Sequence, residues 1–101
     1  MRKHYRKQKK KVIKERYKKL FKAITDGKFR QFQNYNYKLN PKDIDFKDAI
    51  GNTLLYYAIK HQRINFVSML LLLGADQQKS CVNGETPEKL ANKLKNKLVS
   101  Y

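Results

Sequence analysis

The chain has 101 residues, and its 24 Lys and Arg residues against eight Asp and Glu residues give a formal net charge of +16 at pH 7. This length allows one folded unit with a modest hydrophobic core. The positive charge is far larger than solubility requires, so it predicts a polyanionic partner: nucleic acid, an acidic membrane surface or an acidic protein.

Composition also restricts the compartment and the relation to membranes. Cys81 is the only cysteine, which excludes an intrachain disulfide and favours a reducing compartment. No apolar run approaches the roughly 20 residues that a membrane-spanning helix needs, and the N-terminus lacks the apolar segment of a secretory signal. We therefore expect an intracellular protein without a membrane span, cytoplasmic by default, with the nucleus and organelles as open alternatives.

Most of the charge lies near the N-terminus. Residues 1–30 have a net charge of +12, whereas residues 31–101 have a net charge of +4. Residues 1–11 contain basic side chains and no acidic one, so their mutual repulsion predicts an extended basic arm. The folded domain is expected to cover residues 12–101.

An amphipathic helix is predicted over residues 12–25, because apolar residues recur there at spacings of three, four and seven. An Asp-Gly pair forms the turn into a second helix, predicted over 28–37. Pro41 prevents this second helix from continuing further, since proline cannot extend a helix and disfavours helical geometry at the residue before it. The apolar face of the first helix consists of Val12, Ile13, Tyr17, Leu20, Phe21 and Ile24.

Residues 41–50 are predicted to be a loop that contains Asp43, Asp45 and Asp48. A calcium-binding loop of the EF-hand type would need a central glycine and a terminal bidentate glutamate, and this loop lacks both. The aspartates are therefore interpreted as part of a connecting loop and not as a metal site.

Two further helices are predicted over 54–61 and 64–73. Thr53 is a good N-cap for the first of them, and the apolar residues after it repeat at helical spacing. The second helix has too much apolar surface to face water, and Gly74 supplies a left-handed stop at its end. These two helices are expected to pair as a hairpin.

This hairpin begins a repeated pattern. A shift of the chain by 33 residues brings three pairs of identical residues into register, which is typical of a repeat architecture. A lone helix is predicted near 87–98, where a threonine N-cap is followed by proline and glutamate. The coinciding pairs are Gly51 with Gly84, Thr53 with Thr86, and Ala58 with Ala91.

The segments GNTLLYYA and INFVSMLLLLGAD resemble one ankyrin repeat, whose family pattern is G-x-T-P-L-H-x-A followed by V-V-x-L-L-x-x-G-A-D. The resemblance implies an all-α fold, a short ankyrin-like stack of helix-turn-helix repeats with a basic N-terminal extension. The expected repeats cover about 12–47, 48–80 and a truncated 81–101. The alternative interpretation is an ordinary helical hairpin with chance similarity.

Three residues depart from the family pattern. Leu54 stands where the family has proline, and Tyr56 stands where it has the histidine that pairs with the capping threonine. Gln62 replaces the glycine that joins the two helices of a repeat.

The resemblance also implies a surface for protein partners. Proteins of this type contact partners through the tips of the loops between repeats, called fingers, and through the exposed side of the first helix of each repeat. These positions are mixed in chemical character and include no large apolar patch. In this chain they are Ala49, Ile50, Asn52, Lys60, His61, Val82, Asn83 and Glu85.

The sequence contains no recognisable catalytic or metal-binding constellation. His4 and His61 lie on different elements, and Cys81 has no second cysteine or histidine at a metal-binding spacing. The glycines belong to turns and not to a phosphate-binding loop. We therefore predict no enzymatic activity, no cofactor, no metal and no small-molecule substrate.

Two functions remain open. The preferred one is a non-enzymatic RNA-binding component of a large ribonucleoprotein such as the ribosome, in which the arm binds rRNA and the stack contacts neighbouring proteins. The alternative is a protein-binding ankyrin adaptor or pathogen effector whose arm is a localisation signal. Membrane-surface binding would need exposed bulky apolar residues that the stack is expected to bury. The predicted RNA contacts are Arg2, Lys3, Arg6, Lys7, Lys9, Lys10, Lys11, Lys14, Arg16, Lys18 and Lys19.

Overall fold

The computed structural model describes residues 15–36 and 43–99. Within these ranges the protein is all-helical and has no strand, which confirms the predicted short ankyrin-like stack. The predicted arm over 1–11 and the predicted helix start at residue 12 lie outside the described residues. The helices are α1 (residues 15–26), α2 (Phe29–Asn36), α3 (Leu54–Lys60), α4 (Ile64–Leu72) and α5 (Pro87–Val99), with a 3-10 turn at Val82–Gly84 before α5.

Two threonines begin the helices that the sequence predicts them to begin. The Thr53 hydroxyl accepts a hydrogen bond from the backbone N–H of Tyr56 at 3.3 Å, and the Thr86 hydroxyl accepts one from the N–H of Lys89 at 3.1 Å. Each bond satisfies one of the N–H groups that a helix leaves unpaired in its first turn. The cap therefore forms even though Tyr56 stands where the family has histidine.

The helices form two layers. In the first layer, the rings of Phe21 on α1 and Tyr57 on α3 meet edge to face at 5.1 Å, and α5 packs against α3. In the second layer, the ring of Phe66 on α4 lies 5.1 Å from Phe29 and 5.0 Å from Phe32 on α2. The core lies between the layers, and its fully buried residues include Leu20, Ile24, Phe32, Leu54, Leu55, Ala58 and Leu70.

The two loops that precede α3 and α5 repeat one backbone pattern. We call residues 43–53 the first finger and residues 76–86 the second finger. In the first, Asp48 N–H donates to Asn52 O at 2.9 Å, and in the second, Cys81 N–H donates to Glu85 O at 2.7 Å. The positions of donor and acceptor both shift by the 33 residues that the sequence indicates. The repeat is thus present in the hydrogen bonding of the backbone as well as in the residue pattern.

The turn between the helices of each hairpin needs a left-handed residue. Gly27 has φ +72° between α1 and α2, and Gln62 has φ +56° between α3 and α4, so a side-chain residue adopts the conformation that glycine favours. Arg63 follows Gln62 and donates from Nε to Ile24 O at 3.2 Å and from Nη2 to Thr25 O at 3.0 Å. Its guanidinium therefore caps the C-terminus of α1, where a positive charge is also favoured by the helix dipole.

No helix in the described ranges is long and apolar enough to cross a membrane. The ends predicted for the helices agree with the structure within two residues, apart from the start of α1 and the predicted end of α2 at residue 37, which lie outside the described ranges.

Leu70→Ala should lower the free energy of unfolding by about 2–5 kcal/mol, because Leu70 is fully buried and its truncation leaves a cavity between the layers. Leu72→Ala is the matched control, since Leu72 lies on the same helix but is 84% exposed, and we expect a change within about 0.5 kcal/mol. Urea denaturation followed by circular dichroism measures both. Equal losses in the two variants would contradict the described packing of α4.

Gln62→Gly should raise the free energy of unfolding by roughly 0.5–1 kcal/mol, because relief of the left-handed strain exceeds the entropy that glycine loses on folding. Asn83→Gly provides a comparison, since Asn83 has φ +59° but asparagine tolerates this conformation better. We expect its gain to be smaller. A destabilised Gln62→Gly protein would show that the Gln62 side chain makes a contribution larger than its backbone strain.

Candidate protein-binding surface

Asp48 organises the tip of the first finger. Its Oδ1 accepts hydrogen bonds from the N–H groups of Ile50 at 3.1 Å, Gly51 at 3.0 Å and Asn52 at 3.0 Å. Its Oδ2 accepts a bond from the Tyr57 hydroxyl on α3. One carboxylate therefore closes the turn and also attaches it to a helix. As a result the tip residue Ile50 is held 65% exposed at a defined position.

Asn52 joins the two fingers and is not available to a partner. Its side chain is buried, with Oδ1 accepting from Val82 N–H at 3.0 Å and Nδ2 donating to Tyr57 Oη at 3.3 Å. The amide therefore has its hydrogen bonds inside the protein. The prediction that Asn52 contacts a partner assumed that a loop residue next to a glycine is exposed. In the structure the second finger covers Asn52, so this prediction is corrected.

Glu85 connects the second finger to two helices. Its Oε1 accepts from the Tyr56 hydroxyl at 2.8 Å, and its Oε2 accepts from Lys93 Nζ. The hydrogen bond from Lys93, followed by the one from Tyr56, lowers the pKa of Glu85 below its ordinary value. Ionised Glu85 therefore stabilises the fold at pH values above its ordinary pKa, and this stabilisation is lost as the pH falls through the lowered pKa.

Tyr56 is the hydrogen-bond donor to Glu85 in this link between α3 and the second finger. Burial, followed by its hydrogen bond to Glu85, raises the pKa of Tyr56 from 10.0 to about 12. Folding thus favours the neutral hydroxyl. Its contribution to the free energy of unfolding is complete below pH 10 and is lost as the pH rises toward 12. In the usual repeat this position holds histidine; here a longer side chain reaches the next finger.

A groove lies between α1 and the first finger, and we call it the finger groove. Its volume is about 450 Å³, and the Tyr17 and Phe46 rings lie 4.6 Å apart along it. Apolar side chains dominate its lining, while Lys18 and Lys47 are exposed and contribute positive charge. The lining residues are Tyr17, Lys18, Phe21, Phe46, Lys47, Asp48, Ala49 and Ile50.

The Tyr17 hydroxyl is the one buried side-chain polar atom in the described ranges without a hydrogen-bond partner. Burial raises the pKa of Tyr17 well above its usual value, and the backbone N–H of Phe46 acts in the opposite direction. The Phe46 N–H is therefore close enough to interact with the hydroxyl but does not form a hydrogen bond of normal geometry with it. A buried hydroxyl that loses its hydration and gains only a weak bond in return destabilises the fold.

The predicted protein-contact residues fall into separate groups. Ala49 and Ile50 are exposed and line the finger groove. Lys60 and His61 are exposed at the opposite end of α3 from its finger, where the His61 ring stacks on Tyr57 with centroids 6.4 Å apart. On the second finger, Asn83 is exposed, whereas Val82 and Glu85 are half-buried.

The predicted RNA contacts lie mainly outside the described residues. The eight basic positions from Arg2 to Lys14 precede residue 15 and lie outside the described residues. On α1, Arg16 is half-buried, and Lys18 and Lys19 are exposed. Lys18 also lines the finger groove, which gives it a second possible role.

Sequence reasoning missed Phe46 and Lys47 as surface residues of this groove. The sequence does contain one indication of this groove, since Phe46 is a lone aromatic residue in an aspartate-rich loop and belongs to no helical pattern. In the described ranges, no three His, Cys, Asp or Glu side chains are grouped so that they could hold a metal ion.

Tyr17→Phe should raise the free energy of unfolding by about 1 kcal/mol, because it removes a buried hydroxyl without a well-formed hydrogen bond and keeps the ring. Tyr56→Phe is the same chemical change at a paired hydroxyl, and it should lower the free energy of unfolding by about 1 kcal/mol through loss of the Glu85 bond. Urea denaturation at neutral pH compares the two. Destabilisation by Tyr17→Phe would mean that the interaction of its hydroxyl with the Phe46 backbone outweighs the cost of burying the hydroxyl.

About half of this chain is similar to a known protein. No family model matches the chain. An ankyrin repeat protein of Acanthamoeba polyphaga mimivirus is 39% identical over 54 residues, which is 54% of this chain and 7% of that protein. This chain thus corresponds to a small part of the relative's length. The similarity agrees with the helix-turn-helix stack and indicates ankyrin-like repeats in about half of the chain.

Proposed function

We propose that this chain is a non-enzymatic protein-binding module that holds a segment of a partner protein in the finger groove. The observation that carries the proposal is the position of Ile50, which is 65% exposed on a tip fixed by Asp48, beside a groove lined by aromatic rings. The partner segment carries an apolar side chain between acidic residues.

The rigidity of the tip favours binding. Three backbone N–H groups of the tip donate to a single carboxylate, so the tip has little conformational freedom to lose when a partner docks. Ile50 and Phe46 already expose apolar surface to water, and covering such a side chain contributes about 1.5–3 kcal/mol when its burial is complete. The finger groove is therefore prepared for an apolar side chain before the partner arrives.

The charges around the groove determine the character of the partner. In the fingers, the carboxylates of Asp45, Asp48, Asp76 and Glu85 all accept hydrogen bonds from the protein itself. The lysines, by contrast, extend into solvent at the rim of the groove. These carboxylates keep their negative charge, but Asp48, the acidic residue that lines the groove, directs Oδ1 to the N–H groups of its own loop. Lys18 and Lys47 are therefore the charged side chains that a partner can pair with, which favours acidic residues in the bound segment.

The comparisons support a protein partner in a general way. The mimivirus relative is named as an ankyrin repeat protein, and the resemblance to that family implies protein contacts through the finger tips. The RNA hypothesis depends on the net charge, on Arg16, Lys18 and Lys19 of α1, and mainly on basic residues before position 15, which lie outside the described residues. We therefore treat RNA binding as an outcome of the experiment below.

Ile50→Asp should abolish binding of the partner segment, because it places a negative charge where an apolar side chain docks. Peptides selected from a display library against the wild-type chain should carry an aromatic or aliphatic residue flanked by Asp or Glu. Fluorescence anisotropy should show that Ile50→Asp weakens their binding by about tenfold or more. The matched control is Leu72→Asp, the same change at an exposed position outside the groove, with an expected effect below about twofold.

Purification from native cells separates the two functions. If the groove binds a protein, then Ile50→Asp removes the associated partner, while deletion of residues 2–11 or treatment with RNase leaves it in place. If RNA binding dominates, the deletion and RNase each remove the association, and Ile50→Asp has no effect. Selected peptides that bind wild type and Ile50→Asp equally would reject the finger groove as the site.

A further inference from the structure

The backbone of the first finger forms its hydrogen bonds inside the finger. From Phe46 to Asn52, five of the seven backbone N–H groups donate to an acceptor of the finger itself. Three of these five donate to one carboxylate, that of Asp48. The part of the finger that borders the finger groove therefore has few donors left for the backbone of a partner.

This use of the donors restricts how a partner segment can bind. A segment that binds as an added β-strand needs a ladder of free N–H and C=O groups at alternate positions of an exposed edge. The described ranges contain no strand that could provide such an edge. In the first finger, the N–H groups at four alternate positions already donate within the finger: those of Phe46, Asp48, Ile50 and Asn52. The finger groove therefore does not bind its partner by strand addition.

The aromatic rings of the groove limit its width. The centroid of the Tyr17 ring lies 6.1 Å from that of Phe21 and 4.6 Å from that of Phe46. The rings of Phe21 and Phe46 can be no further apart than the sum of these distances, which is about the width of an α-helix with its side chains, roughly 10–12 Å. Because the thickness of the rings narrows the opening further, a helix does not fit between them, whereas an extended backbone can insert one side chain.

An extended segment on this apolar surface needs few backbone donors of its own. A backbone N–H group that loses its water and finds no acceptor destabilises the complex. Proline has no N–H group, and the polyproline II conformation that it favours has no internal hydrogen bonds to lose. Prolines on both sides of an apolar side chain therefore remove two donors next to the groove. They also fix the extended backbone before binding, so that less conformational entropy is lost.

We infer that the segment held in the finger groove is an acidic polyproline II segment, with a proline on each side of the apolar side chain that docks beside Phe46 and Ile50. These two groove residues are 36% and 65% exposed and supply the apolar contact. Acidic residues of the segment pair with Lys18 and Lys47, which are exposed at the rim. The inference rests on the proposed function, since it names the class of segment that the same groove binds.

Three synthetic peptides of equal charge test the backbone requirement. The proline peptide has a leucine between two prolines and two glutamates at each end. The alanine peptide has alanine in place of both prolines, and the D-proline peptide has the same composition with prolines of the opposite chirality. Titration with the complete chain, followed by fluorescence anisotropy, should show binding of the proline peptide and at least about fivefold weaker binding of the other two.

Lys47→Glu tests the charge requirement. It should weaken binding of the proline peptide by about fivefold or more, because it replaces an attraction at the rim of the groove by a repulsion. The matched control is Lys79→Glu, the same change at an exposed lysine of the second finger that does not line the groove, with an expected effect below about twofold. The measurements use an ionic strength of about 0.15 M, at which charges further apart than about 8 Å are largely screened.

The outcomes separate this inference from the proposed function. Equal binding of the proline peptide and either the alanine or the D-proline peptide would overturn the inference, as would equal weakening by Lys47→Glu and Lys79→Glu. A proline peptide that does not bind would also overturn it. In each case, peptides selected from the display library that lose affinity with Ile50→Asp would still support the finger groove as a protein-binding site. If Ile50→Asp affects neither the selected peptides nor the proline peptide, the proposed function fails as well.

Discussion

Each helical hairpin of this protein has an apolar side that it cannot bury by itself, and the fold depends on stacking to bury it. Leu20, Leu55 and Leu70 come from three different helices and each is at most 1% exposed. Burial of this kind is favourable by about 25 cal/mol per Å² of apolar surface, and it is shared between neighbours. The hairpins therefore stabilise each other.

Polar contacts fix how the stacked units are placed relative to one another. Asn52 bonds to the second finger, and Tyr56 bonds to Glu85, so two separate links hold the fingers at one spacing. Asp48 then fixes the first finger on α3. Apolar packing alone is tolerant of small shifts, whereas hydrogen bonds require specific distances. These links make the position of Ile50, and hence the shape of the finger groove, well defined.

The same contacts decide which charged side chains a partner can reach. The carboxylates of Asp45, Asp48, Asp76 and Glu85 are used for turn formation and for links between elements, while Lys18 and Lys47 extend into solvent. A partner therefore meets a finger groove with two exposed lysines at its rim. Apolar contact supplies affinity there, and the lysines supply selection for acidic partners.

The sequence by itself determined the features that depend on residues close together along the chain. The positions of α3 and α4, the threonine caps and the left-handed Gly74 at φ +92° all follow from residues within one or two turns of each other. Tertiary structure alone decided that Asn52 is buried, that Tyr56 reaches Glu85 and that Phe46 lies on Tyr17. Each of these contacts joins residues about 30 positions apart, and whether such residues meet depends on how the hairpins stack. No local pattern contains that distance, so the finger groove could be found only in the folded chain.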